Sequence, residues 1–188
     1  MIFSSYRTDV ETALLGINDR DVLDAVAILT QARVKKSAVY IVGNGGSAAT
    51  ASHFANDLVK VCGIRAFSLP DMVSSVTAFG NDHNWSEMYW RLLKRLLLPF
   101  DVVVGISCSG NSPNVVEALA FVKEYKMPGL KTIGLIGADL ACGIAHVGPD
   151  VLVSVPFMDI RVQEDCHMII CHAIVGALSA TPQAPRVL

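Results

Sequence analysis

A doubly wound α/β domain, with helices on both faces of a parallel sheet, is what the residue pattern predicts. From Ser37 onward short β-rich runs alternate with helical stretches, the order that parallel strands and their crossover helices require. Several runs carry Val and Ile on both faces, as strands covered on both sides do. The chain has 188 residues, 52% hydrophobic and 17% charged, enough apolar material for one large core, so a single domain over 1–188 is expected and a disordered or fibrous chain is not.

In chain order, residues 1–35 read as helix, with Val22, Val26 and Leu29 at helical spacing behind Asp19 or Asp21 as a cap. A helical segment of that length beside a small α/β core must bury its apolar stripe, and a partner subunit is one candidate. The core, 37–180, opens with a strand at Ala38–Val42 and a helix at 47–61. The later strands fall at Arg65–Ser68, Asp101–Ser107, Lys131–Ile136 and Asp150–Val155, giving five in all, and the later helices at 70–79, 84–97, 112–126, 138–146 and 161–180. Thr181–Leu188, with Pro182 and Pro185, is expected to end the last helix and fray.

Composition narrows the function classes. The longest apolar stretches, Leu96–Phe100 into Val102–Ile106 and Met168–Leu178, are broken by Pro99, Asp101 or His172 and fall short of the roughly 18–20 residues of a bilayer span, so neither a transmembrane helix nor a membrane partner is expected. No basic segment followed by an apolar one opens the chain, so a secretory signal is not expected and a cytoplasmic location is. Cys62, Cys108, Cys142, Cys166 and Cys171 are an odd number without C-x-x-C spacing, which reads as reduced thiols. With 15 Lys and Arg against 17 Asp and Glu the net charge is −2, so nucleic acid is not an expected partner and an anionic ligand must be held locally.

Four features carry chemistry. Gly43-Asn44-Gly45-Gly46-Ser47 follows the first strand and precedes a helix, where glycines let the backbone approach a ligand and the helix offers free N–H groups and its positive dipole end; a plain glycine turn is the other reading. It is no P-loop, because no Gly-Lys-Ser/Thr follows, and no dinucleotide fingerprint, because Ala48 stands at the third glycine. Ser107-Cys108-Ser109-Gly110-Asn111-Ser112-Pro113 again joins a strand to a helix. Pro113 suits the first helical position and Ser112 the N-cap, so the hydroxyls of Ser107, Ser109 and Ser112 converge on a helix N-terminus that would bind phosphate without a lysine; an ordinary capped helix is the alternative.

His53 and Asp57 lie four apart on one helix face, while Phe54 and Leu58 turn toward the core; the pair would ligate a metal, act as acid and base, or simply be solvated. On the last helix Glu164 and His172 lie about 80° apart around the axis, whereas Gln163 and His172 lie about 180° apart, so Glu164 and His172 suit one site. His172 interrupts an apolar run and needs a partner, if only as a satisfied core histidine. Gly80-Asn81-Asp82 ends a helical stretch, which turn chemistry alone would explain.

Together, GNGGSA after a strand, GND further on, GISCSGNSPNV after another strand, and QED followed by two histidines resemble the sugar isomerase (SIS) domain family, most closely its phosphoheptose isomerases. The resemblance runs from about Ser37 to Leu178. It implies a flavodoxin-like three-layer αβα sandwich in a homotetramer, with N-terminal helices packed in a bundle and active sites shared between subunits. It implies that Asn44, Gly45, Gly46 and Ser47 contact the sugar, that Asn81, Asp82 and Glu164 line the site, and that Ser107, Cys108, Ser109 and Ser112 hold the phosphate. Asp57 and His172 map to the acid/base pair, and His53, Asp57, Glu164 and His172 to the zinc site of some members; no organic cofactor is implied. The chain departs from the family where Asp57 replaces the usual Glu, where Cys108 replaces the usual Thr, and where the histidine spacing starts from Glu164 rather than from a glutamine. The activity implied is aldose–ketose isomerisation of sedoheptulose 7-phosphate to a heptose 7-phosphate through an enediol(ate), in heptose and cell-surface carbohydrate biosynthesis. A non-catalytic phosphosugar-binding regulator or assembly factor on the same fold is the alternative.

Overall fold

The structure is a computed structural model and describes residues 2–180; the tail at Thr181–Leu188, expected to fray, lies outside them. Five strands, β1 (Ala38–Gly43), β2 (Arg65–Ser68), β3 (Val102–Ser107), β4 (Lys131–Ile136) and β5 (Val151–Ser154), form one parallel sheet in the order β2-β1-β3-β4-β5. The pleat divides their side chains between two cores. Val39, Ile41, Val102, Val104, Ile133 and Val153 face one side with α1 (Ile2–Leu15), α2 (Asp19–Lys35), α3 (Gly46–Lys60) and α8 (Ile160–Ala180). Ala38, Tyr40, Val42 and Val103 face the other with α5 (Met88–Leu96), α6 (Pro113–Glu124) and α7 (Gly143–Val147). This is the expected three-layer αβα sandwich. Among the described residues no helix is long and apolar enough to cross a membrane.

Several local boundaries differ from expectation. The N-terminal helix is two helices, broken where Gly16 packs so close to Pro156 that a side chain would not fit. Asn18, not Asp19 or Asp21, caps the second: its side chain accepts the Arg20 N–H at 3.0 Å, and the aspartates fall in the first turn. The stripe Val22, Val26 and Leu29 packs on the chain's own core, so a partner is not needed to cover it. The third strand starts after Asp101, because that buried carboxylate accepts the N–H groups of Ala38 and Leu98 and stands outside the ladder. Asp150 does the same beside β5, accepting the N–H and hydroxyl of Thr132. The helix expected at 70–79 splits into a 3₁₀ turn at Leu69–Asp71 and α4 (Val73–Asp82), and the one expected at 138–146 shrinks to α7.

β1 and β3 are neighbours, yet the chain leaves β1 into α3 on one face and β3 into α6 on the other. Strand order therefore reverses between them, and the crevice outside their carboxyl ends is where open α/β sheets bind ligands.

Candidate active site

The glycine turn leaves β1 at this crevice. Tyr89, buried on α5, donates its hydroxyl to the Gly43 carbonyl at 2.7 Å, and a Cβ on Gly43 would lie 2.8 Å from the Ser47 carbonyl oxygen. Gly45 takes φ +55° and caps α3 without any side-chain hydrogen bond, so the turn presents backbone rather than side chain at the helix start. On the β3 side, Ser107 Oγ lies 3.1 Å from Ser112 Oγ and 3.4 Å from Ser109 Oγ, the predicted convergence. Ser112 is the N-cap and Pro113 opens α6, but the Ser112 hydroxyl turns to Ser107 instead of capping the helix. The turn is anchored from behind: Gly137 N–H donates to the Cys108 carbonyl, Ile144 N–H to the Gly110 carbonyl and Gly143 N–H to Asn111 Oδ1.

Two contacts join the two sides of the crevice. Asn44 and Asn114 exchange hydrogen bonds, Nδ2 to Oδ1 each way, at 2.8 and 2.9 Å. The Ser47 hydroxyl lies beside the Cys108 sulfur. Glu164 faces the glycine turn, since a Cβ on Gly46 would strike its carboxylate, whereas Gln163 turns away, is buried, and donates to the Phe157 carbonyl. Burial, with the Glu164 charge beside it, pushes the Cys108 thiol up to about 11.

His53, Asp57 and His172 meet where α3 packs on α8. The two Nε2 atoms are 3.0 Å apart, and Asp57 Oδ2 lies 3.3 Å from His53 Nε2 and 3.9 Å from His172 Nε2. The imidazoles are 48% and 52% exposed and the carboxylate 18%, so the trio opens outward from the single chain. Two imidazole nitrogens and one carboxylate oxygen within 4.8 Å of one another form an N/O donor set that suits zinc or a similar divalent ion. Glu164 is not in this cluster; it stands about 12 Å away along α8, eight residues at 1.5 Å each. His172 is thus no core histidine. His167 is: fully buried, its Nε2 lies 3.1 Å from the Ile136 carbonyl, its Nδ1 faces the Cys108 sulfur at 3.9 Å, and burial pushes its pKa down to about 4. Phe54 and Leu58 face the core as expected.

Asn81 and Asp82 end α4, both exposed, with Asn81 Nδ2 donating to Asp82 Oδ1; none of their hydrogen bonds reaches either turn. Sequence reasoning missed Asn114 and Tyr89 and gave no role to His167, one of the two histidines after the QED run. Asn114 alone carried a signal, a polar residue among Val115, Ala118, Leu119 and Val122 on the buried side of α6.

Comparison with known proteins bears on the family and the fold. A family model described as "SIS domain" matches residues 5–137. A phosphoheptose isomerase of Trichlorobacter lovleyi is 40% identical over 140 residues, 71% of this chain and 68% of that relative. One of Helicobacter pylori is 32% identical across 94% of this chain and 91% of its own. The solved structure of a phosphoheptose isomerase from Neisseria gonorrhoeae superposes with a TM-score of 0.85 at 30% identity, covering 95% of each chain.

Proposed function

The chain belongs to the SIS domain family, and on that premise we propose that it is an aldose–ketose isomerase, a phosphoheptose isomerase that converts sedoheptulose 7-phosphate to a heptose 7-phosphate in heptose biosynthesis. The observation that carries the reading is the pairing of two sites a fixed distance apart. A serine turn suited to a phosphate meets the start of α8, where the Cys108 sulfur lies by the Ile160 carbonyl, and a cluster of one carboxylate and two imidazoles stands at His172, just over three turns further along it. A phosphate bound by Ser107, Ser109 and Ser112, with the α6 N-terminus behind them, supplies remote binding energy that orients the reacting end.

The reaction needs a proton taken from the carbon beside a carbonyl, an enediol(ate), and a proton returned to the neighbouring carbon. Asp57 is the base at one carbon, and His172, which shares its Oδ2 with His53, is the acid or second base. The glycine turn holds the sugar between, with Gly45, Gly46 and Ser47 offering backbone N–H groups and the Ser47 hydroxyl, and Glu164 beside them. Where zinc is bound, His53, Asp57 and His172 hold it and it supplies Lewis-acid polarisation of the substrate oxygens. An Asp57 engaged in that way is not simultaneously a free base. Native mass spectrometry should find one zinc per wild-type chain after reconstitution and far less with His53→Asn; equal retention would remove His53 from the metal site.

A single cytoplasmic domain assembled as a homotetramer with shared sites goes with this reading. The half-exposed His53 and His172 support a site finished by another copy. So do the outward-facing Ile2, Phe3 and Leu15 of α1 and Leu23 of α2, and Val73 and Trp85 on and beyond an α4 that has no fully buried residue. The direct test follows purified protein with sedoheptulose 7-phosphate by NMR. An aldose anomeric signal should grow until ketose and aldose reach equilibrium, whereas a phosphosugar regulator would bind the compound and leave its spectrum unchanged.

A further inference from the structure

Asn114, the second residue of α6, is a polar side chain with 0% exposure, so it touches no ligand, and a buried amide left unpaired would be costly. Its partner is Asn44, seventy positions earlier, at the centre of the glycine turn. Each amide donates one N–H to the other and accepts one in return, closing a two-bond ring across the switch point between β1 and β3. The two turns are otherwise held from opposite sides. Tyr89 grips the glycine turn through Gly43, while Gly137, Gly143 and Ile144 grip the serine turn through Cys108, Asn111 and Gly110. The Asn44 side chain is therefore held in place by Asn114 within the glycine turn.

We propose that Asn114 is a positioning residue which, through its reciprocal amide pair with Asn44, fixes the separation of the glycine and serine turns and so sets the length of phosphorylated sugar that reaches the reacting groups. The proposal rests on the isomerase reading, since it treats the serine turn as the phosphate end and the glycine turn as the sugar end. The pair works as a spacer: with both hydrogen bonds formed, neither turn moves without the other. Cutting it removes both side-chain hydrogen bonds between Asn44 and α6 and lets the glycine turn shift on its Gly45 hinge.

The test compares the full-length wild type with Asn114→Ala, Asn44→Ala and the double variant. Each is assayed with seven-, six- and five-carbon ketose phosphates for kcat and KM, and each compound's dissociation constant is measured by calorimetry. Breaking two neutral hydrogen bonds should raise KM and the dissociation constant for the seven-carbon compound about tenfold or more and narrow the preference over shorter sugars by a similar factor. The double variant should lose no more than either single one, because each already severs the same ring. A merely structural Asn114 would lower Tm and weaken all three sugars equally; an unchanged length preference, or losses that add in the double variant, would overturn the proposal. If Asn114→Ala does not fold, Asn44→Ala cuts the ring from its less buried side and reads the same length preference. No turnover by the wild type would defeat the isomerase reading alone, since the calorimetric preference still reads the spacer.

Discussion

Replacing Asp57 by Asn exchanges a carboxylate for a nearly isosteric amide at the centre of the trio. The amide cannot take a proton from carbon, and its group no longer attracts the two imidazoles 3.3 and 3.9 Å away. Loss of a positioned general base costs about 10²–10⁴-fold in rate, equal to about 2.7–5.4 kcal/mol of barrier, and that loss should appear in kcat. KM should move little, because the serine turn at Ser107–Ser112 is built from β3 and α6 and shares no hydrogen bond with Asp57. Stability should barely change. The partners of Asp57 are half-exposed, and such pairs contribute about 0–1 kcal/mol, a Tm shift within about 4 °C. Initial rates with sedoheptulose 7-phosphate, calorimetric binding of the same compound and a thermal melt separate these terms. A variant that folds and binds normally yet keeps more than a tenth of wild-type kcat would remove Asp57 from proton transfer; one that melts far earlier would make the residue structural.

The titrating groups carry two further predictions. Cys108 is held as a thiol by burial and by the Glu164 charge, so iodoacetamide at pH 8 should label it slowly although it is part-exposed. Glu164→Gln should lower its pKa and speed labelling, and mapped peptides giving equal rates would separate the two groups. For Asp150, burial acts to raise the pKa, but hydrogen bonds from Lys131 and Thr132 outweigh it and hold the carboxyl below its ordinary 3.8. Its stabilisation is therefore complete above that value and lost as pH falls through the lower folded value. Asp150→Asn should cost about 1–3 kcal/mol at pH 7, and denaturant midpoints should converge with the wild type as pH falls below 3.8; a gap that stays constant with pH would contradict the assignment.

What the chain made legible follows from how local each cause is. Most strands were readable because Val and Ile recur on both faces of the run, though Arg65–Ser68 has neither and rests on its place between two helices, and the serine turn because Ser112 and Pro113 specify a helix start between adjacent residues. The strand limits shifted at Asp101 and Asp150 because each carboxylate bonds to backbone far off in sequence, Asp101 to Ala38 and Asp150 to Thr132. Helical phase favoured Glu164 over Gln163 for a site shared with His172; the structure turns Glu164 to the glycine turn instead of the imidazoles, since angle around an axis ignores the rise along it. His172 sat in an apolar run and looked buried, but the surrounding face of α8, with Ile169, is exposed on the single chain. The core histidine was His167, and only the packing of α8 against the end of β4 distinguishes the two. The Asn44 and Asn114 pair depends on the neighbouring placement of β1 and β3, which no local signal states.

The most direct measurement is hydrogen exchange with solvent during turnover. Purified protein in deuterated water with sedoheptulose 7-phosphate should place deuterium on the carbon beside the ketose carbonyl at the rate that aldose forms, and Asp57→Asn should abolish both together. Interconversion without deuterium from solvent, or no exchange by the folded wild type in any oligomeric or metal-loaded state, would contradict proton transfer at the Asp57 and His172 cluster.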